Sequence, residues 1–248
     1  MVLEIERELA SALYSARVTG DARLARSCEL SAMPDSSGDW SVNVEAETEQ
    51  AAFAELHRMV NHPSTPIARA RLLRLYLAWK GHIDSQCIMG DNFRLGRNIV
   101  RDGALSRYWY EKAAEGGDAT AQNNIGVLYA EGTGGPCDME KALYWYARSA
   151  ENGNAVAKGN LGANIALGRG TRQNYMQAAK LLKESLKRAP YCCRDHFLLA
   201  TCYEHGVGGR NGLRLAMRHY QEASDFGSLA ARAALRRLRA AGAAHAHI

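Results

Sequence analysis

Between residues 119 and 131 the apolar positions fall at Ala121, Ile125, Leu128 and Tyr129. That spacing puts all four on one face of a helix. Gly132 supplies a C-terminal stop, since glycine tolerates a left-handed backbone. A short turn, GTGGPCD, follows. Asp138 then offers an N-cap for a second helix, MEKALYWYARSAENG, whose inward stripe is Ala142, Trp145, Tyr146 and Ser149. Residues 119–154 therefore predict a helical hairpin.

The same pattern recurs. Gly90, Gly126 and Gly162 lie 36 apart, as do Gly96, Gly132 and Gly168. Trp109 and Trp145 keep that step, and so do Gly117 and Gly153. A fourth copy follows with a two-residue slip, where Ala200 replaces the first glycine and Gly206 the second. Ten residues after each second glycine stands a small residue: Ser106, Ala142, Ala178 and Ala216. A repeat of this length predicts stacked helical hairpins. One hairpin cannot cover its own apolar face, but stacked neighbours can. YWYEKAAEGGD and YWYARSAENGN recur because each hairpin presents the same wedge to the next.

These residues resemble the Sel1-like repeat, a relative of the tetratricopeptide repeat. LYAEG, KALYWY and the AAEGGD and SAENGN endings carry the likeness most fully, within 83–154. It thins where Leu181 and Leu182 replace the aromatic pair and where His219 replaces the tryptophan. The resemblance implies an all-α fold, a right-handed α-solenoid of helix-turn-helix repeats. The expected organisation is an acidic helical segment over 1–45, a degenerate hairpin over 46–82 and repeats at 83–118, 119–154, 155–190 and 191–228. A basic capping helix and tail fill 229–248. Within these ends, 2–18 and 21–32 are expected to be helical, 33–43 a loop, 46–61 and 66–81 a helix pair, and 229–241 a helix ending near Gly242.

Charge sharpens the division. Residues 1–65 total −6 and residues 66–248 total +11. An acidic head on a basic body suggests mutual docking, an acidic partner, or simply two solvated surfaces. No apolar run approaches the roughly 18 residues that span a bilayer, so no membrane partner is expected. The start, MVLEIERELASALYSARV, lacks the basic beginning and continuous apolar core of a secretory signal. The expectation is a cytoplasmic, unprocessed chain.

Catalytic constellations do not emerge. The close glycines of GTGGPCD and GVGGRNG follow helices, and neither fits a phosphate-binding pattern. The six cysteines, Cys28, Cys87, Cys137, Cys192, Cys193 and Cys202, lack paired metal spacing, so no metal and no cofactor is expected. Cys202 lies between His196 and His205, which leaves a cysteine hydrolase as one alternative. Against it, Cys202 takes the packing position held by Leu128. The arginine-rich end leaves a nucleic-acid-binding solenoid as another alternative. Arg232, Arg236 and Arg239 share a helical face that could meet an acidic protein patch, with nucleic acid ranked last.

By position in the resemblance, the first helix of each hairpin lines a concave face. Its lining would include Asp84, Asp91 and Arg94, then Thr120, Asn123, Val127 and Glu131. Val156 and Ala163 follow, then Arg194, Phe197, Thr201, Glu204 and His205. Such a surface suits a helix or extended segment better than a small-molecule substrate. The expected function is a non-enzymatic protein-binding scaffold. Small bacterial members of the family also serve as immunity proteins against a cognate toxin or effector, which the resemblance admits here.

Overall fold

The structure, a computed structural model, describes residues 2–3, 42–43, 74–75, 77–97 and 101–245. Apart from one short strand pair, its regular elements are helical. The helices are α1 (Ile83–Leu95), α2 (Gly103–Glu115), α3 (Ala119–Glu131), α4 (Met139–Glu151) and α5 (Ala155–Leu167). They continue as α6 (Tyr175–Leu186), α7 (Cys193–Glu204), α8 (Gly212–Asp225) and α9 (Leu229–His245), with a 3-10 turn at Gly209–Asn211. The chain forms two compact units. One is Met1–Leu128 with Gly132–Pro136, and the other is Tyr129–Glu131 with Cys137–Ile248.

Local chemistry sets the helix ends. Asp102 accepts hydrogen bonds from the Ala104 and Leu105 amides, Asp138 from the Lys141 amide, and Asn174 from the Gln177 amide. These caps stand 36 apart and start the second helix of three hairpins, satisfying donors that would otherwise be orphaned. At the other end of α3, Gly132 sits at φ +71° and its amide donates to Leu128. A side chain there would strain the left-handed turn.

In the first unit α2 packs along α1. Trp109 is buried in a cluster with Leu105, Met89, Phe93 and the preceding Leu75 and Ala78. It thus sits between its own hairpin and the helical segment before it. Gly90 makes room for this packing, since a Cβ there would lie 2.6 Å from the Tyr110 ring. Two glutamines stitch successive hairpins: Gln86 Nε2 donates to the Ala78 carbonyl at 3.0 Å, and Gln122 Nε2 to that of Ala114 at 3.1 Å. They stand 36 apart and cap carbonyls at the end of the preceding helix.

In the second unit each helix from α4 to α9 packs on the next. A continuous core runs from Ala163 and Leu182 through Leu199, Cys202 and Tyr220 to Ala231 and Leu235. The inward stripe expected for α4 holds: Ala142, Tyr146 and Ser149 are buried and Trp145 is half-buried.

Three expectations need correction. Val2–Leu3 is not the start of a helix; it pairs antiparallel with Val42–Asn43, Val2 opposite Asn43. The same pair replaces the end of the expected loop over 33–43. A partner some 40 positions away leaves no periodic trace in a short apolar run. The last helix does not stop near Gly242 but continues to His245. One glycine costs a helix about 1 kcal/mol, and the alanines on both sides outweigh it. The rest of the helices expected over 2–18, 21–32 and 46–61 lies outside the described residues. Of 66–81, residues 74–75 and 77–79 are helical.

Candidate interaction surface

The first helices of the hairpins carry the residues expected to line a binding face. In the first unit Asp84 and Thr120 are exposed, while Asp91, Arg94 and Val127 are half-buried. Asn123 is buried. The half-buried charges are fixed: the Tyr110 hydroxyl donates to Asp91 Oδ1 at 2.6 Å, Arg94 Nη2 reaches the same oxygen at 3.2 Å, and Arg94 Nε donates to the Tyr110 hydroxyl at 3.3 Å. Burial and then the Asp91 bond push the Tyr110 phenol far up, so it remains a donor. The second helix of this hairpin therefore holds two charges of the first in set positions.

The second unit repeats the device. Tyr220 on α8 donates to Glu204 Oε2 at 2.8 Å and shares a bond of 3.2 Å with Thr201. Arg237 Nη2 on α9 holds the other Glu204 oxygen at 2.5 Å. Tyr220 takes the place of Tyr110 in its repeat, and Thr201 and Glu204 take those of Asp91 and Arg94. Burial pushes the Tyr220 phenol up to about 12, where the Thr201 bond opposes and the Glu204 bond adds. Tyr146 takes the same place on α4; burial and then the Glu131 charge raise its phenol to about 12.

A third cluster escaped sequence reasoning. Asp195, 1% exposed, accepts from Ser185 Oγ at 2.7 Å and from Arg194 Nε at 2.9 Å. Arg194 also reaches back to α5, donating to Asn160 Oδ1 at 2.9 Å. Gly159 lies beneath this cluster; a Cβ there would sit 2.5 Å from Asp195 Oδ2. The available signal was an acid directly after Arg194 in the first turn of a helix, opposite a glycine at a position that elsewhere carries a side chain.

The remaining expected residues are placed as follows. Val156, Arg194, His205 and Glu131 are exposed, Phe197, Thr201 and Glu204 are half-buried, and Ala163 is buried. Phe197 leans on Tyr220 at 5.5 Å, and Tyr175 stacks on His205 at 4.4 Å. On α9 Arg232, Arg236 and Arg239 are exposed, and Arg239 donates to Gln221. Arg237, on the opposite flank, carries the ion pair to Glu204.

The thiol expected to pack does so. Cys202 is fully buried, and burial pushes its thiol up to about 11. A cysteine nucleophile needs access and a lowered pKa. The five described cysteines are free. Among the described residues, no group of three or more His, Cys, Asp or Glu is placed to hold a metal ion. No helix among them is long and apolar enough to cross a membrane.

The sequence model of the Sel1 repeat matches residues 83–118, 119–154, 155–188 and 195–227. The chain belongs to the Sel1 repeat family. Two solved Sel1 structures are similar to it. One is a protective antigen of uropathogenic Escherichia coli with an SLR fold, at 26% identity and TM-score 0.61. That match covers 75% of this chain and 40% of the antigen. The other is a Sel1 repeat protein of Oxalobacter formigenes, at 25% identity and TM-score 0.56, covering 74% of this chain and 72% of that one. The chain thus spans well under half of the antigen's length. None of the curated proteins matches it. Sel1 repeats generally serve in protein–protein interaction.

Proposed function

We propose that the chain is a non-enzymatic scaffold that binds protein segments along the first helices of the hairpins within each of its two units. The observation that carries this reading is the pair of tyrosine anchors. Tyr110 and Tyr220, at one repeat position, each hold polar side chains of the lining in fixed geometry. Charges fixed in advance lose less entropy on binding than free ones. Exposed Val156 and half-buried Phe197 add apolar contact beside them, and apolar or aromatic anchors dominate interface energy.

The narrower form of the proposal makes the partner a toxin or secreted effector, with this chain as its immunity protein or adaptor. Its support is the family resemblance alone, since small bacterial members of the family neutralise a cognate toxin.

Site-specific photo-crosslinking in the native host tests the scaffold. A photoreactive residue at Val156 or His205 is expected to capture one protein in stoichiometric yield, and the same residue at the exposed Glu140 is not. Equal capture at all three positions, or none, overturns the reading. A captured protein that is toxic without this chain supports the narrower form.

A further inference from the structure

The second helix of the third hairpin carries a surface that the lining does not include. A groove of about 530 Å³ runs along α6, bordered by Met176, Lys180, Lys183, Glu184 and Lys187 and floored by Ala179 and Val207. Met176, Lys180, Lys183 and Lys187 follow one another at helical spacing on a single exposed stripe. Packing does not demand lysine there. One repeat earlier the same positions hold Glu140, Tyr144, Ala147 and Glu151; two repeats earlier they hold Ala104, Tyr108, Glu111 and Glu115. One repeat later they hold Arg214, Arg218, Gln221 and Asp225, so the fold accepts acids and neutral residues at these places, and of the four repeats this one carries the most cations there.

The charges around the groove are unbalanced. Glu184 is its one acid, and it is held by Lys187 at 2.6 Å and by Lys158 at 3.9 Å. Those two cations also depress the Glu184 carboxyl below its ordinary value, the Lys187 bond contributing most, so the acid stays charged and engaged. Lys183 lies over the Tyr203 ring, 5.2 Å from its centre. That contact orders its stem along the groove wall. Lys180 stands exposed at the middle of the stripe.

We propose that this groove docks an acidic amphipathic segment of a partner protein, carboxylates along the lysine stripe and apolar side chains against Met176, Ala179 and Val207. One feature favours a polypeptide over a nucleic acid: the floor, Ala179 and Val207, is apolar. The surface is separate from the first-helix lining and engages a different part of a partner, or a different partner.

The test uses the full chain and a fluorescently labelled helical peptide of about 16 residues, glutamates on one face and leucines on the adjoining one. Fluorescence anisotropy at low salt is expected to give binding in the micromolar range, weakening severalfold as salt rises. Lys180→Glu with Lys187→Glu is expected to weaken binding about tenfold or more. Both side chains are exposed, and an unchanged melting temperature establishes that the variant is folded. A peptide with lysine in place of each glutamate is expected to prefer that variant over the wild-type chain. Unchanged binding of the acidic peptide by the variant overturns the proposal. So does a wild-type chain that binds a single-stranded RNA of similar length more tightly than the peptide. A variant that loses the peptide yet keeps the Val156 crosslink separates this surface from the first-helix lining.

Discussion

The Tyr110 hydroxyl donates to Asp91 at 2.6 Å, joining the second helix of a hairpin to the outward-turned flank of the first. Tyr220 does the same for Glu204 at 2.8 Å. The ring of each tyrosine is buried with the core, and its hydroxyl emerges beside the lining residues. One side chain thus links hydrophobic packing to the placement of a surface charge. Tyr110→Phe keeps the ring and removes the donor. The expected loss is about 1 kcal/mol, the usual net worth of such a bond, read by urea denaturation. Tyr220→Phe is expected to cost at least as much, because Glu204 would retain only Arg237 and Thr201 would keep only its bond to the Phe197 carbonyl.

Asp195 gives a larger expected effect. It is buried and takes hydrogen bonds from Ser185 and Arg194. Asp195→Ala would leave a buried hydroxyl without its acceptor and release the guanidinium that ties α7 to Asn160 on α5. Leaving that hydroxyl unsatisfied costs about 1–3 kcal/mol. The measurement is the denaturant midpoint, with Arg194→Ala expected to cost at least as much, because it leaves the buried Asp195 carboxylate without its cation.

How legible this architecture was depends on the kind of interaction. Caps and stops announce themselves locally: Asp138 and Gly132 are recognisable because the helix-end chemistry lies within four residues of them. The inward stripe of α4 is legible for the same reason. Cross-hairpin polar contacts are not. Asp91 and Arg94 read as free lining charges, since nothing within their own helix reveals a phenol 16 to 19 residues later. Asp195 is not legible because its partner Ser185 comes from the preceding hairpin and the contact depends on Gly159 leaving space. The lysine stripe becomes visible only when α6 is compared position by position with α2 and α4.

The two close glycines permit an internal comparison. A Cβ at Gly90 would lie 2.6 Å from the Tyr110 ring, whereas at Gly162 the nearest atom, of Leu182, is 3.1 Å away. Aromatic rings yield less than an aliphatic branch. Gly90→Ala is therefore expected to cost about 1–3 kcal/mol by overpacking. Gly162→Ala should cost less, and can approach neutrality because alanine favours the helix by about 1 kcal/mol. Thermal denaturation of the two variants decides the order.

Thiol chemistry separates packing from catalysis. Cys137 is exposed, whereas burial pushes Cys202 up to about 11 and Cys87 up to about 12, the latter with help from Asp118. Iodoacetamide near neutral pH is expected to label Cys137 first and Cys202 among the last, followed by mass spectrometry of peptides. Preferential early labelling of Cys202 would revive the hydrolase alternative.

The histidine pair on α7 and α8 makes stability depend on pH. His196 Nε2 faces the Pro190 carbonyl at 2.8 Å, and a carbonyl can only accept, so that nitrogen carries the hydrogen. Its Nδ1 then accepts from His219 Nδ1 at 3.0 Å. Two Nδ1 atoms at that distance can hold one hydrogen between them. Burial, and then the adjoining His196, Arg218 and Lys183, push His219 down to about 4 from an ordinary 6.5. Between those values the unfolded chain binds a proton that the folded chain refuses. Stability is therefore full above about pH 6.5 and is lost as pH falls through the window to about 4. For a half-buried ring the screened loss is on the order of 1–2 kcal/mol. His219→Phe keeps a flat ring beside Tyr203, 5.6 Å away in the wild type, and removes the group whose protonation burial opposes. That variant is expected to flatten the melting-temperature profile between pH 6.5 and 4, and a profile as steep as wild type would assign the acid sensitivity elsewhere.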